Sequence, residues 1–465
     1  MRKTNRRAFL AGTTAATVAF TLVPRHVLGG PRFVAPSEKV NIALVGAGGQ
    51  GRSNLRLLFR EPDVRVIAVA DPIERHSLDA FYYKGEGGRL PVKAEIEKHY
   101  SAETPDFRCA DYVDFREMLD KEKSLDAILC ATPDHLHAYV SVMAMRAGKH
   151  VYCEKPLTHN IWEARKVAEV AKETGVATQL GNQGHSTDGI RQTCEWLANG
   201  VIGSVREVHA WVGAQRWNKT LTSKPAEEVP VPAGVNWDLW IGPREPRPYH
   251  PAYTPVTWRD FWAFGSGSLG DFGCHDMDVA CWALDLDSPT TVEALPAGDM
   301  DAEITPRGAI CYYEFAARGD KPAVRLTWYD GGLKPACPPE IPPGSALPGR
   351  GVLFVGDRGR LLCEGAGGPP RLLPYEKTRD YQRPAATIPR SKGHHRDWLD
   401  ACKGGAPASS HFGYGARLTE LVLLGVLSLR TGQKITWDAA QMQAKNLPAA
   451  EAIIKESYRS GWEIA

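Results

Sequence analysis

Short, almost wholly apolar runs alternate with amphipathic stretches along the first part of the chain. Residues 39–45, 64–70 and 126–131 form three such runs, in which Val, Ile, Leu and Ala dominate. Runs of this length and pattern are typical of parallel strands that are buried on both faces. With helices between the strands, the pattern predicts an α/β domain over residues 38–160, interrupted by an inserted helical or loop segment at about 79–105.

The second part of the chain shows a different pattern, in which apolar and polar positions alternate. Five segments have this strand pattern: 205–211, 291–295, 309–315, 324–329 and 352–355. The alternation predicts a mainly antiparallel, open-sheet α+β domain with C-terminal helices over residues 161–465. The apolar run 421–429 is interpreted as a buried helix that is far too short to span a membrane.

A glycine-rich turn directly follows the first apolar run. Gly46, Gly48 and Gly51 form a G-x-G-x-x-G sequence between a strand and a helical stretch, and the next strand ends at Asp71. Such glycines allow a tight turn and close approach of a pyrophosphate to the helix N-terminus, and the acidic residue binds the adenosine ribose. The order predicts a Rossmann dinucleotide-binding domain. Asp71 favours NAD because its carboxylate repels a 2′-phosphate, although Arg75 leaves NADP open.

The first thirty residues have the pattern of an export signal. The pair Arg6-Arg7 precedes a mildly apolar stretch, 11–23, that is too short to be a stable membrane anchor. This arrangement resembles a bacterial twin-arginine signal peptide, with cleavage near Gly30. We therefore expect a periplasmic or secreted protein that the twin-arginine export machinery carries in its folded state, with the cofactor already bound.

Composition narrows the classes of partner. The 465 residues include 56 Lys and Arg against 54 Asp and Glu, a net charge of +2, and residues 1–30 hold five of the basic residues and no acidic one. The remaining chain is mildly acidic, so we expect no nucleic-acid partner. The ten cysteines are scattered without a C-x-x-C pair, and those in apolar runs (Cys130, Cys153 and Cys311) are predicted to be buried free thiols.

Two further motifs follow later strands of the first domain. One is Thr132-Pro133 with His137 four residues beyond, and the other is the stretch 148–156, which ends in Glu154-Lys155-Pro156. With the glycine motif, this order resembles the glucose–fructose oxidoreductase / inositol dehydrogenase (Gfo/Idh/MocA) family, although Asp134 stands where the family usually has Asn. The resemblance implies cofactor contacts from Thr132, Pro133, His137, Glu154 and Lys155.

A third motif, within residues 265–278, strengthens the resemblance and indicates the chemistry. It contains Asp271 and His275, which are four residues apart and so lie on one face of a helix. Oxidation of a secondary alcohol removes a hydride from carbon and a proton from oxygen. We interpret His275 as the general base, Asp271 as the group that orients its imidazole or holds a neighbouring hydroxyl, and Lys155 as the donor that stabilises the alkoxide. A structural pair with Glu154 is the alternative role of Lys155.

Four residues are candidates for substrate recognition. Gln183 and His185 follow a predicted strand and suit hydroxyl groups, and Trp258 and Arg259 lie in the loop before the third motif. The alternatives are a capped loop histidine at 185 and simple packing at Trp258. Adjacent residues on a helix point apart, so the pair His394-His395 does not indicate a metal, and we expect no metal site.

These observations predict an exported, NAD-dependent oxidoreductase that acts on a hydroxyl of a sugar, glycoside or polyol, with C3 preferred. Two alternatives stay open. One is an NAD-dependent, redox-neutral glycosidase that oxidises C3, eliminates the aglycone and reduces the sugar again. The other is a non-catalytic sugar-binding protein. The resemblance also implies a homo-oligomer, because the open sheets of the family usually pair.

Overall fold

The structure is a computed structural model that describes residues 34–464. The predicted export signal, residues 1–30 with its cleavage point near Gly30, lies outside the described residues. The short segment Pro36–Glu38 forms a 3-10 turn in which the Glu38 amide donates to the Ala35 carbonyl oxygen at 2.8 Å.

The apolar runs of the first domain form a six-stranded parallel sheet, which confirms the predicted Rossmann-like domain. Its strands are Val40–Val45 (β1), Val64–Ala70 (β2), Ala110–Tyr112 (β5), Ala127–Cys130 (β6), His150–Glu154 (β7) and Thr178–Gly181 (β8), and a separate hairpin comprises His76–Ser77 (β3) and Glu86–Gly87 (β4). The spatial order β5-β2-β1-β6-β7-β8 reverses direction between β1 and β6. Open α/β sheets bind their ligands at such a reversal, at the carboxyl ends of the strands.

Five helices connect these strands: Gly49–Leu58 (α1), Arg89–Tyr100 (α2), Phe115–Lys121 (α3), Asp134–Arg146 (α4) and Ile161–Thr174 (α5). Helix α5 begins at a capping box, in which Asn160 and Glu163 each accept the other's backbone amide. It ends at Gly175, whose φ is 65°. Because α5 leads back into β8, the parallel sheet continues to Gly181, past the predicted boundary at residue 160.

The segment predicted as an insertion at 79–105 has two parts. Helix α2 packs against β2 and β5 as an ordinary crossover helix, so it belongs to the α/β domain. The additional structure is the loop of residues 78–85 between β3 and β4, here named the tyrosine loop because it contains Tyr82 and Tyr83. Hydrogen bonds from the Leu78 amide to the Gly85 carbonyl oxygen, at 2.7 Å, and from the Gly85 amide to Asp79 Oδ1, at 2.9 Å, close this loop.

The second domain is built on a nine-stranded sheet with the spatial order β15-β14-β13-β9-β12-β11-β10-β16-β17. The strands are Val205–Val212 (β9), Thr291–Ala297 (β10), Gly308–Phe315 (β11), Val324–Tyr329 (β12), Arg350–Gly356 (β13), Gly359–Glu364 (β14), Pro370–Leu373 (β15), Ile435–Asp438 (β16) and Gln443–Ala444 (β17). β9 and β12 run parallel and the other neighbours run antiparallel. This confirms the mainly antiparallel α+β prediction, and all five predicted strands are present.

The helices of the second domain are Asp188–Ala198 (α6), Trp237–Ile241 (α7), Gly267–Asp276 (α8), Asp278–Ala283 (α9), Glu376–Asp380 (α10), His394–Cys402 (α11), Phe412–Thr431 (α12) and Glu451–Ile454 (α13). Helix α12 packs against α5, β10 and α8, and so joins the two domains. It has 20 residues and extends well beyond the predicted run 421–429. Its length and composition would allow it to span a membrane, but 78% of its apolar 18-residue stretch is buried inside the protein. Burial, and not shortness, therefore identifies it as a core helix.

Candidate active site

A cavity of about 350 Å³ lies where the carboxyl ends of the parallel strands face helix α8. Most of the sequence-predicted site residues line it: Gly46, Gly48, Asp71, Thr132, Pro133, His137, Glu154, Lys155, Gln183, Trp258, Arg259, Asp271 and His275. Gly51 packs beneath the glycine loop, and His185 lies outside the lining. Residues that are far apart in the chain are thus brought to one site at the junction of the two domains.

The glycine loop has the geometry that a bound dinucleotide requires. Gly46 has a φ of +92°, and a Cβ on Gly51 would lie 2.2 Å from the Gly46 carbonyl oxygen, so both positions need glycine. A Cβ on Gly48 would meet nothing within 4 Å, and Gly48 caps α1 without a side-chain hydrogen bond. Gly48 therefore leaves space beside the N-terminus of α1, where the helix suits a pyrophosphate, while the Tyr83 ring packs against the neighbouring Gly49.

Asp71 lies at the end of β2, beside this loop. Its carboxylate accepts hydrogen bonds from the amides of Ala47, at 2.7 Å, and Ile73, at 2.8 Å. Burial raises the pKa of Asp71 above its ordinary value, while the nearby His76 opposes that shift. Arg75 instead forms an ion pair with Glu86 on the surface, and its side chain is 55% exposed. The arrangement favours ribose hydroxyls, as in NAD, over a 2′-phosphate.

His137 connects the two loops that approach the cofactor side of the cavity. Its Nδ1 lies 2.7 Å from the Pro156 carbonyl oxygen, and its Nε2 lies 2.8 Å from the Thr132 carbonyl oxygen. Burial lowers the pKa of His137 to about 4. The ring therefore positions the Thr132-Pro133 turn relative to the loop that carries Lys155.

Lys155 and Asp271 form a buried ion pair across the two domains. Lys155 Nζ donates to Asp271 Oδ1 at 2.6 Å and to the Asp271 carbonyl oxygen at 2.5 Å, and the two side chains are 12% and 8% exposed. Arg259 Nε lies 3.2 Å from Asp271 Oδ1, and Trp217 Nε1 donates to Asp271 Oδ2 at 3.2 Å. Although burial acts in the opposite direction, the two cations hold the pKa of Asp271 well below its usual range. Asp271 is thus a carboxylate at any working pH.

His275 lies one helical turn beyond Asp271 and also faces the cavity. Its Nδ1 is buried and has no hydrogen-bond partner among the described residues. Burial, reinforced by Lys155 and Arg350, lowers the pKa of His275 well below its ordinary value. The imidazole is therefore neutral near pH 7 and can accept a proton. The prediction that Asp271 orients the His275 imidazole is wrong, because the carboxylate is occupied by Lys155, Arg259 and Trp217.

Glu154, predicted to contact the cofactor, is fixed by amide side chains. Its Oε1 accepts hydrogen bonds from Asn54 at 2.8 Å, Gln183 at 2.9 Å and Gln50 at 3.3 Å, and burial raises its pKa. Glu154 thus ties the end of β7 to helix α1. Lys155 pairs with Asp271 and not with Glu154, so the alternative of a structural Glu154–Lys155 pair is wrong.

The substrate-recognition candidates separate into two groups. Gln183, Trp258 and Arg259 line the cavity, and the Arg259 guanidinium stacks 4.2 Å above the Trp258 ring. His185 does not line it. Its Nδ1 lies 3.0 Å from the Asp278 carboxylate, and its ring stacks on Trp282 at 4.3 Å. The predicted contact of His185 with substrate is therefore corrected: the 3-10 turn Gln183–Ser186 buries this side chain in the core, at 1% exposure.

Sequence reasoning missed several residues of the cavity wall. Trp217 follows β9 in a loop without any motif, and Tyr82 and Tyr83 lie in the segment treated only as an insertion. Asp134 is also part of the wall, and its burial raises its pKa to about 7. The one signal for Asp134 was the departure from the Asn that the resemblance implies.

Two of the cysteines predicted to be free thiols, Cys130 and Cys153, also bear on the question of a metal site. Within residues 34–464, one cluster places three ligand-type atoms within 4.8 Å of one another: Cys130, His137 and Cys153. Both ring nitrogens of His137 already face carbonyl oxygens, so this ring is not free to bind an ion. The thiols of Cys130, Cys153 and Cys311 are buried and free, which confirms that prediction.

The sequence matches two models of one family. Residues 40–182 match GFO_IDH_MocA, "Oxidoreductase family, NAD-binding Rossmann fold", and residues 193–316 match its "C-terminal alpha/beta domain". The first match identifies the α/β domain as NAD-binding.

Individual proteins are similar at lower identity. Levoglucosan dehydrogenase of Pseudarthrobacter phenanthrenivorans is 22% identical over 244 residues, which is 52% of this chain and 50% of the relative. The scyllo-inositol 2-dehydrogenase (NAD(+)) of Bacillus subtilis is 28% identical over 145 residues, 31% of this chain and 36% of the relative. The chain thus spans half or less of these curated relatives. The WlbA dehydrogenase from Bordetella pertussis, crystallised with NADH and UDP-GlcNAcA, shares the fold with a TM-score of 0.55 and 16% identity, covering 86% of this chain and 99% of that one.

The buried neutral histidines make the folded protein sensitive to acid. Burial lowers the pKa of His395 to about 4, so between about pH 6.5 and 4 the unfolded chain binds a proton there that the folded protein does not. We therefore expect the free energy of unfolding to decrease as the pH is lowered from about 6.5 to 4. The variant His395→Gln should weaken the dependence by about 1.4 kcal/mol per pH unit. Urea denaturation from pH 7 to 4 measures the slope, and an unchanged slope in the variant would contradict the assignment.

Proposed function

Since the chain belongs to the Gfo/Idh/MocA oxidoreductase family, we propose that it transfers a hydride between a hydroxyl-bearing carbon of a carbohydrate or polyol and a nicotinamide cofactor. The observation that carries the proposal is the position of Lys155. It directly follows β7, two strands from β1 and its glycine loop, and its ammonium pairs with Asp271 in the cavity that the neutral His275 also lines. Two similar curated proteins, a levoglucosan dehydrogenase and a scyllo-inositol 2-dehydrogenase, support this substrate class.

Each side chain has a distinct task in the oxidation of a secondary alcohol. NAD, when bound, supplies the hydride acceptor, and the residues that would hold it are the glycine loop, Asp71 and the Thr132-Pro133 turn. Lys155 donates a hydrogen bond to the substrate oxygen and stabilises the negative charge that develops there. His275 takes the hydroxyl proton, because its ring is neutral and one nitrogen lacks a partner. In the reverse direction, the imidazolium returns that proton to the alkoxide.

Asp271 and Arg259 act on this chemistry through Lys155. The carboxylate holds the ammonium 2.6 Å away, and its main-chain carbonyl accepts a second bond, so the Lys155 side chain has one position. Arg259 shares the same carboxylate oxygen and so limits how strongly Asp271 attracts Lys155. One N–H of the ammonium stays available for the substrate oxygen.

We further propose that the substrate is a glycoside oxidised at C3. We also propose that this protein is exported with its cofactor bound. An exported enzyme meets no exchangeable NAD pool, so the cofactor has to stay bound and be recycled in place. The tyrosine loop supports tight retention, because the Tyr83 ring packs on Gly49 at the start of α1 and its hydroxyl lies 3.4 Å from Gln50 Oε1. The same cycle, if it includes elimination, gives the redox-neutral glycosidase.

The variant Lys155→Met tests the role of the ammonium. It keeps the length of the side chain and removes its charge and donors, so kcat should fall by about 10²- to 10³-fold while the NAD content stays equal to that of the wild type. Lys149→Met is the matched control, since Lys149 precedes the same strand and donates to the Leu125 carbonyl oxygen away from the cavity. Reduced nicotinamide and free aglycone are both measured with aryl glycosides. Equal rates in the wild type and Lys155→Met would refute the assignment, and aglycone release without net NADH would select the glycosidase cycle.

Retention of the cofactor has its own test. Protein purified without added nucleotide should release about one NAD(H) per chain on denaturation, as measured by chromatography of the supernatant. Tyr83→Ala removes the ring that covers Gly49 and should lower that yield several-fold, whereas Tyr83→Phe should not. Wild-type protein that carries no nucleotide would exclude the retained-cofactor cycle.

A further inference from the structure

Tyr82 is an aromatic side chain exposed at the cavity. The residue is 66% exposed, the highest fraction among the exposed large hydrophobic residues of the described chain. It nevertheless forms part of the cavity wall. Large apolar surfaces left open at a binding cleft are typical of ligand contact sites.

An aromatic series connects Tyr82 to the reacting groups. The Tyr82 ring stacks on Trp217, with ring centroids 6.0 Å apart and planes 25° apart, and it lies 4.1 Å from the Tyr83 ring. The Trp217 indole in turn donates to Asp271 Oδ2 at 3.2 Å, and the Arg259 guanidinium lies 5.9 Å from the Trp217 ring. The aromatic surface therefore begins beside Asp271 and ends at Tyr82, in solvent.

The tyrosine loop that presents Tyr82 is held at both of its ends. Asp79 accepts the Gly85 amide at 2.9 Å, and Lys84 Nζ donates to the Asp79 carbonyl oxygen at 2.6 Å. Arg52 of helix α1 donates to the Lys84 carbonyl oxygen at 3.1 Å, which anchors the loop to the dinucleotide helix. Because the loop is fixed in this way, the Tyr82 ring that it carries offers a flat surface, and ligand binding does not have to order the loop.

We propose that Tyr82, backed by Trp217, binds the second ring of a glycoside whose first ring is oxidised beside Lys155 and His275. This inference rests on the proposed function and narrows the proposed glycoside substrate to one that has two rings. A pyranose presents a face of C–H groups and an aromatic aglycone presents a π-face, and both stack on an exposed tyrosine. Free monosaccharides and methyl glycosides have no ring that reaches this surface.

The variants Tyr82→Ala and Tyr82→Phe test the platform, with Leu90→Ala as the control. Leu90 is exposed on helix α2 just beyond the tyrosine loop and does not line the cavity. The probes are methyl glycosides, phenyl glycosides and disaccharides that share the same first sugar. Tyr82→Ala should raise KM for the phenyl glycoside and disaccharide by about 5- to 10-fold and leave kcat and the methyl glycoside unaffected. Tyr82→Phe and Leu90→Ala should behave as the wild type.

Two readouts keep this inference separate from the proposed function. Binding is measured by quenching of tryptophan fluorescence, without turnover, and the bound NAD(H) of each variant is quantified. If the wild type oxidises glycosides but Tyr82→Ala changes methyl and phenyl glycosides equally, changes neither, or sheds NAD(H), the platform is overturned and the proposed function stands. If no glycoside is oxidised, the proposed function fails. Binding of the phenyl glycoside that depends on Tyr82 would then still support the platform, and binding that does not would overturn it.

Discussion

The buried ion pair between Lys155 and Asp271 is the constraint on which the site depends. Removing two charges from water costs several kcal/mol per ion, and additional hydrogen bonds help to compensate for that cost. Here the ammonium has two acceptors on Asp271, and the carboxylate has two further donors, Arg259 and Trp217. The network fixes the position of one cation at the junction of two domains. That position is more useful for stabilising an alkoxide than the same charge on a mobile surface side chain.

The fold brings the two members of this pair together through helix α12. Thr419 of that helix accepts the Leu157 amide at 3.2 Å, just after the Lys155-Pro156 step, and its hydroxyl lies 3.8 Å from the Cys274 thiol on α8. One residue thus contacts both the strand end that carries Lys155 and the helix that carries Asp271. The amide cluster around Glu154 fixes the same strand end to the dinucleotide helix. The glycine loop, the Lys155 ammonium and the helix that carries His275 are therefore placed by connected packing and not by separate loops.

The parts of the site that a sequence reveals are those with local spacing rules. Glycines at 46, 48 and 51 between a strand and a helix have one physical purpose, and an aspartate four residues before a histidine shares its helical face. Contacts between distant segments follow no such rule. No motif near Trp217 predicts its hydrogen bond to Asp271. The sequence around His185 suggests a substrate contact, but in the structure His185 pairs with Asp278 in the core. For the same reason, helical spacing alone suggests that Asp271 orients His275 or holds a nearby hydroxyl, whereas its partners in the structure are Lys155 and Arg259.

Isotope transfer tests most directly whether a hydride passes from a carbohydrate carbon to nicotinamide within this cavity. The purified holoprotein is incubated with a phenyl glycoside that carries deuterium at C3, and the bound nucleotide is then released and analysed by mass spectrometry. The account predicts deuterium on the nicotinamide ring of the wild type and none in Lys155→Met over the same time. Consumption of the glycoside with deuterium released to solvent, and none on the nicotinamide at any time point, would contradict it.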